Sequence, residues 1–170
     1  MNTLTLNSPK HGSMSLIYDD QDEELIYQYS WIIFKNPKRN VYYAHTNLYI
    51  DDKRTTRFFH RLLLGITDSK IHVDHINHNG LDNRRENLRI CSHTENMRNR
   101  RLSLDQSSQY KGVYLDKRTS RKRSPWTARI RVNTKMIHLG CYFTEEDAAL
   151  SYNTAALQYF GEFAFLNDIA

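Results

Sequence analysis

Polar and apolar positions divide the chain into distinct stretches. Between about Ser15 and Ile50, runs rich in Tyr, Ile and Trp (LIY, LIYQYSWIIF and VYYAHTNLYI) are interrupted by DDQDEE and KNPKRN. β-prone runs separated by turn-forming clusters predict short strands, here a small antiparallel meander. RTTRFFHRLLLGI, from Arg54 to Ile66, predicts a strand running into a short helix. Gly65 is its expected stop, because glycine takes the left-handed conformation without a Cβ penalty.

Two further β-prone runs, KIHVDHI and NLRICS, flank NHNGLDN, whose Asn-Gly pair is a turn signal, so a hairpin-like unit is expected. Ser92 and Glu95 stand at the S-x-x-E spacing of a capping box, which predicts a helix starting near His93 with Asn96 in about its first turn. In the order strand, long turn, strand, helix, the side chains of Asp74, His75 and Asn96 can converge at one end. Residues Leu102 to Gln109 (LSLDQSSQ) are polar without periodicity and read as a linker. Beyond them GVYLDK, WTARIRVN and MIHLGCYF alternate, separated by RTSRKRSP and by Asn133-Thr134-Lys135, and predict a three-stranded antiparallel sheet. Thr144 is placed to cap a closing helix, with Glu145, Glu146 and Asp147 in its first turn. Ala149, Tyr152, Ala156 and Tyr159 or Phe160 form the apolar stripe of that helix, and Gly161 its end.

Composition narrows the class. With 170 residues of which 39% are hydrophobic, the chain can bury a core, as one domain or two small ones. No apolar run approaches the roughly 18 to 20 residues that cross a bilayer, and MNTLTLNSPKHGS lacks a signal-peptide core, so the expected location is the cytosol of a bacterial or phage-infected cell. Cys91 and Cys141 are isolated in sequence, which indicates neither a disulfide framework nor a Cys-x-x-Cys zinc site, and both are expected as buried small hydrophobes. The net charge of +5 hides an asymmetry: from Arg84 to Lys135 there are 15 Lys plus Arg against four acids, a local balance of +11. Such a stretch suits a polyanion, and double-stranded DNA is the expected partner, although a solvated surface on a basic protein accounts equally well for charge alone.

Phosphodiester cleavage needs a nucleophile, a base to activate it and a cation to stabilise charge on phosphorus and leaving oxygen. Asp74 and Asn96 offer two oxygen donors for a hard divalent ion, magnesium first and manganese second. His75 has the pKa of a base working near neutrality. Neighbours in a strand point to opposite faces, so Asp74 and His75 share a site only where the strand ends or twists. Asn87 is suited to holding the loop by bonds to its backbone. Each of these four residues alone is more readily a turn-former than a catalytic group, and His72, His78 and His93 are assigned to the turn-forming class.

Asp74-His75, Asn87 and Asn96, together with LDNRRENLR and TENMRNRR, resemble the HNH endonuclease motif over roughly Leu48 to Arg101. The likeness is to the homing-endonuclease branch, whose metal fold is a β-hairpin plus helix. The resemblance implies that Asp74 and Asn96 bind metal, that His75 is the general base, and that Asn87 supports the loop. Asn77-His78 stands where that family often has Asp-Gly.

The segment YKGVYLDKRTSRKRSPWTARIRVNTKMIHLGCYFTEEDAALSYNTAALQYFGEFAFLN resembles the APETALA/ethylene-response-factor DNA-binding domain. Its signposts are Y-K-G-V, W-x-A-x-I, L-G-x-Y-F-x-T-E-E-x-A-A and the final L-N. The resemblance implies a sheet lying in the major groove with a helix behind it. Independently, alternation puts Arg129 and Arg131 on one strand face, opposite Ala128, Ile130 and Val132. Lys111, Tyr114, Arg129 and His138 replace the residues usual in that family, so its recognition sequence does not carry over. Trp126 is expected at the sheet edge.

The expectation is therefore an α+β protein: an N-terminal β-meander and ββα-metal nuclease unit over residues 1–101 (metal core about 70–101), a linker over 102–109, and a sheet-and-helix DNA-binding domain over 110–168. The expected activity is site-directed endonuclease cleavage by a monomer. DNA contacts are expected from Arg98, Arg100, Arg101, Lys111, Tyr114, Lys117, Arg118, Arg121, Lys122, Arg123, Arg129, Arg131, Lys135 and His138. The rival is a non-catalytic DNA-binding regulator carrying a relic nuclease fold.

Overall fold

The computed structural model describes residues 1–37, 40–99, 107–116 and 123–169, and the chain divides into two compact units, Met1–His93 and Thr94–Ala170. Both mix small antiparallel sheets with few helices, as an α+β chain does. No helix among the described residues is long and apolar enough to cross a membrane.

The first unit opens with a hairpin that the sequence reading missed: β1 (Asn2–Ser8) pairs antiparallel with β2 (Gly12–Tyr18), from Asn2↔Tyr18 to Ser8↔Gly12. Its strands alternate Leu, Met and Tyr with Asn, Thr and Ser, the pattern of a half-wet strand, which places Leu6, Leu16 and Tyr18 in the core. A second departure follows. LIYQ, read as strand, lies in helix α1 (Glu23–Gln28), preceded by a 3-10 turn at Asp20–Asp22. The acids clustered ahead of it favour a helix N-terminus and override the β preference of Ile and Tyr.

The expected strands then appear as β3 (Ile32–Asn36), β4 (Val41–Ile50) and β5 (Lys53–Phe58), a sheet ordered β3-β4-β5. Asp51 and Asp52 both adopt positive φ between β4 and β5, the backbone of a two-residue turn matched to strand twist. Helix α2 (Phe59–Leu63) ends at Gly65 (φ 65°), whose N–H bonds to Leu62 O at 3.0 Å while Ile66 N–H bonds to Arg61 O at 2.9 Å. These back-bonds satisfy carbonyls that the helix end leaves open. Next come β6 (His72–His75) and β7 (Leu88–Cys91), an antiparallel pair; α3 (His93–Arg98), starting where the capping-box spacing puts it, belongs but for His93 to the second unit. The core gathers Leu6, Leu16, Tyr18, Ile26, Ile33, Ala44, Phe59, Leu63, Leu81 and Leu88. Leu81 comes from the segment joining β6 to β7 and Leu88 opens β7, so that segment is anchored in the core at Leu81 and at its far end.

In the second unit β8 (Val113–Leu115), β9 (Trp126–Val132) and β10 (Lys135–Tyr142) form a sheet ordered β10-β9-β8. Helix α4 (Glu145–Phe160) covers one face, burying Ala148, Ala149, Tyr152, Ala155, Ala156 and Phe160, whereas Tyr159 is exposed. Thr144 caps α4 through its side-chain oxygen, which accepts from Asp147 N–H at 3.1 Å. Gly112 (φ 78°) lies so close to the Tyr152 ring and Arg129 O that a Cβ there would overlap both. The closing L-N motif acts as a clip: Asn167 Oδ1 accepts from Lys111 N–H at 2.7 Å and its Nδ2 donates to Lys111 O at 3.1 Å.

Candidate active site

Register decides where the Asp74-His75 pair points. Asp74 faces Arg89 across the β6–β7 pair, and the guanidinium donates to Asp74 Oδ2 from Nε at 3.0 Å and Nη2 at 2.7 Å. Both partners are largely buried, with side-chain exposures of 8% and 11%, so removing either leaves the other's charge unpaired away from water. His75, the last residue of β6, turns the other way. Its Nε2 lies 3.2 Å from Asn83 Oδ1, and its ring packs against Tyr43 and edge-on to His60, at centroid distances of 5.8 and 5.0 Å.

The connection from Ile76 to Asn87 is held by a knot of amides and carboxylates. Asn87 Oδ1 accepts from Asn77 N–H at 3.0 Å, while its Nδ2 donates to Asp82 O at 2.7 Å and Asn77 Oδ1 at 3.0 Å. Asn77 Nδ2 reaches Asp82 Oδ2 at 2.7 Å, and the same carboxylate receives Arg84 at 2.7 and 2.9 Å. Asn77 and Asn79 each accept a backbone N–H two residues on, the local turn bond for which Asn is favoured. His78 adopts φ 63°, so it fills a left-handed position at the place where the related pattern often has glycine. Gly80 is packed so tightly that a Cβ would strike Tyr42 O and the Tyr43 ring.

Two contacts reach back to the N-terminal elements. Ile17 N–H bonds to Leu81 O and Asn83 N–H to Ile17 O, both at 2.8 Å, forming a parallel bridge between β2 and the loop. Arg85 N–H bonds to Asp19 Oδ2 at 2.8 Å and its guanidinium to Asp22 at 2.6 and 3.2 Å.

Electrostatics follow from this burial. Desolvation pushes His60 down to about 3, helped by the charge His75 and Arg61 would place beside it. Burial also lowers His75, although the Asn83 bond and the Asp74 and Asp82 charges pull it back up. Both rings therefore rest neutral, the form that accepts a proton. Hydrogen bonds from Arg84 hold the Asp82 carboxyl below its ordinary range, and burial opposes them.

Thus β6, β7 and their loop bring Asp74, His75 and Asn87 into one neighbourhood, but Asp74 and His75 diverge, as strand alternation demands. Asn96 lies on α3, half-buried. Arg89, Asn83 and His60 were missed by sequence reasoning. Counting register back from any fixed β6–β7 pair sets Arg89 opposite Asp74, but a turn of undetermined length left that register open.

In the second unit the outer sheet face carries Tyr114, Thr127, Arg129, Arg131, Met136, His138 and Cys141, by the registers Tyr114↔Thr127, Arg129↔His138, Arg131↔Met136 and Thr127↔Cys141. Tyr114, Arg129, Arg131 and His138 are exposed there, and so are Arg123 and Lys135 elsewhere on the unit. Cys141 is half-exposed, not buried as expected, because a register shift between His138 and Gly140 brings it onto this face. Lys111 is turned inward: its Nζ donates to Arg98 O at 2.5 Å and lies 5.0 Å from the Phe165 ring centre. Arg98 is half-buried, with its guanidinium 4.8 Å from the Phe160 ring centre. Arg100, Arg101, Lys117, Arg118, Arg121 and Lys122, and with them most of the expected linker and the RTSRKR loop, lie outside the described residues.

Asp74 and His75 thus close the first strand of an antiparallel pair whose long polar connection is anchored in the core. Residues 57–98 match the family model for HNH endonuclease, a family of nucleases acting on DNA. The chain is 39% identical over 114 residues to an uncharacterized HNH endonuclease of Acanthamoeba polyphaga mimivirus, a match covering 66% of this chain. The chain spans about 56% of that relative's length. No solved structure matches the chain.

Proposed function

We propose that this protein is a site-directed DNA endonuclease of the homing type, hydrolysing or nicking a phosphodiester with a divalent metal ion. The observation that carries the reading is the position of Asp74-His75 at the end of β6, next in the chain to a loop whose shape Asn87 fixes by three hydrogen bonds, within the segment that matches the nuclease family.

The chemistry of the proposed donors, taken residue by residue, suits a hard ion. Asp74 and Asn96 offer a carboxylate and an amide oxygen, and among the described residues no group of three or more His, Cys, Asp and Glu side chains is arranged to hold a metal. Two protein oxygens supplemented by waters and substrate phosphate are what magnesium or manganese accepts, whereas zinc takes a fuller set of protein ligands. When bound, such an ion stabilises charge on the scissile phosphate and leaving oxygen. His75, resting neutral, takes the proton from the attacking water. Asn87 keeps the loop in shape, and Arg89 balances the charge of Asp74. The exposed cations on the outer face of the β8–β9–β10 sheet, Arg129 and Arg131 foremost, meet base edges and phosphates of the duplex.

The test is incubation of plasmid DNA with the purified protein and magnesium or manganese. Wild type nicks or linearises the plasmid, Asp74→Ala and His75→Ala lower the rate by about 100-fold or more, and chelation stops it. No cleavage by wild type on host or phage DNA, or full activity in His75→Ala, removes the reading.

One observation favours a non-catalytic DNA-binding protein instead: the Asp74 carboxylate is already engaged by Arg89. In that case manganese titrated into the protein shows no binding sensitive to Asp74→Ala, whereas the endonuclease shows binding that this substitution abolishes.

A further inference from the structure

His75 has two ring nitrogens, and which of them carries the hydrogen decides which can act as a base. Asn83 settles the point. It is 1% exposed, with Oδ1 3.2 Å from His75 Nε2 and Nδ2 3.5 Å from Gly80 O. A carbonyl oxygen only accepts, so the amide group that faces Gly80 O is the NH2 end, and the oxygen end faces His75. That amide oxygen also only accepts. The hydrogen between the two residues therefore belongs to His75 Nε2.

The backbone that carries the acceptor is tied down. The N–H of Asn83 is bonded to Ile17 O, and the carbonyl of Leu81, two residues earlier, receives Ile17 N–H, both at 2.8 Å. Leu81 is itself part of the hydrophobic core. On its other sides the His75 ring is confined by Tyr43 and His60. Orientation thus passes from β2, through the backbone of the loop, to the side chain of Asn83 and on to His75.

We propose that Asn83 is a positioning residue that holds His75 as its Nε2–H tautomer, leaving Nδ1 as the nitrogen that accepts the proton during cleavage. The role rests on the nuclease reading above and adds to it a residue, an atom and a direction. In the step, a water molecule gives its proton to Nδ1 as its oxygen forms the new bond to phosphorus and the bond to the leaving oxygen breaks. The imidazolium so formed keeps its Nε2–H on Asn83, whose amide dipole is already oriented toward the new charge.

The experiment combines a spectrum with kinetics. In metal-free, 15N-labelled protein at a pH where the ring is neutral, wild type shows His75 protonated at Nε2. Asn83→Leu, of similar volume but without an acceptor, loses that single tautomer, and its kcat on plasmid DNA with manganese falls by about tenfold or more with KM little changed. Asn83→Asp keeps an acceptor at the same place and retains the tautomer and most of the activity. A wild-type ring protonated at Nδ1, an Asn83→Leu ring still protonated at Nε2, or an Asn83→Leu protein cutting at the wild-type rate overturns the proposal. If Asn83→Leu fails to fold, the wild-type and Asn83→Asp spectra decide it: Nε2–H in both supports the assignment, and its loss in Asn83→Asp overturns it. A wild type that shows Nε2–H yet cuts no DNA supports the tautomer lock and removes the nuclease reading, so the two fail separately.

Discussion

Polar side chains do opposite work in the two units. Around the loop from His75 to Arg89 they are bonded to one another: Asn77, Asp82, Arg84 and Asn87 share one network centred on the buried Asp82 and Asn87, and the buried Asn83 is bonded to His75. On the outer face of the β8–β9–β10 sheet Tyr114, Arg129, Arg131 and His138 are exposed, held in place by the strand beneath them. A buried network cannot lose one member without leaving others unsatisfied, whereas an exposed row can change one side chain at a time. The loop is therefore built for a single fixed geometry, whereas the sheet face tolerates substitution one residue at a time.

The largest test of that contrast is Asn87→Ala. It removes three hydrogen bonds and strips partners from Asn77 N–H and Asp82 C=O, both beside a buried side chain. A loss of about 3 kcal/mol in the stability of the first unit is expected in urea unfolding; a loss under about 1 kcal/mol breaks the contrast.

Acid separates the units next. His60, held to about 3 in the folded protein, and His75, lowered as well, gain a proton on unfolding once the pH falls below the ordinary histidine value of about 6.5. The unfolded state then binds more protons, so stability falls with falling pH, by up to about 1.4 kcal/mol per pH unit for each ring, until the folded-state value is reached. Asp82 adds to this at the low end: its lowered carboxyl contributes stability above about pH 4 that is lost as the pH falls further. The second unit carries one histidine, His138, which is exposed. NMR across an acid titration should show the first unit unfolding first; simultaneous loss removes the distinction.

On the sheet face, Arg129→Ala with Arg131→Ala should leave folding within about 0.5 kcal/mol of wild type. The same pair of changes should lower the salt slope of duplex binding by about 1 to 2. An unchanged slope removes that face from the DNA interface. The smallest effect is expected from Thr144→Ala, which deletes the cap of α4 and costs about 1 kcal/mol in thermal unfolding without touching the slope. It sets the scale for a structural bond in the second unit.

How far each region could be read from sequence follows the same division. Local signals found β6, β7 and α3, because an Asn-Gly turn and a Ser-x-x-Glu spacing act over a few residues. Gly65, Thr144 and Gly161 marked their helix ends for the same reason. Alternation in WTARIRV placed Arg129 and Arg131 on the exposed face and Ala128 and Ile130 on the buried one, as the structure has them. What escaped depends on distant partners. Leu4 and Leu6 sit among Thr and Asn and are revealed as core only once β2 folds against β1. LIYQ reads as strand until the acids before it are weighed. Arg89 and Asn83 gain meaning only from a register and a bridge that no short window contains.

The bridge between Ile17 and the loop has a consequence for the order in which the molecule assembles. Arg85 and Asp19, which make a neighbouring contact, are 66 positions apart in the chain. Closures of that span come late, since the entropy of the intervening chain is lost before the contact repays it. On that argument the contacts of the loop with Ile17 and Asp19 form after the local elements on either side of them. On the nuclease reading, the shape of the site around His75 therefore depends on a long-range closure as well as on the local β6–β7 pair.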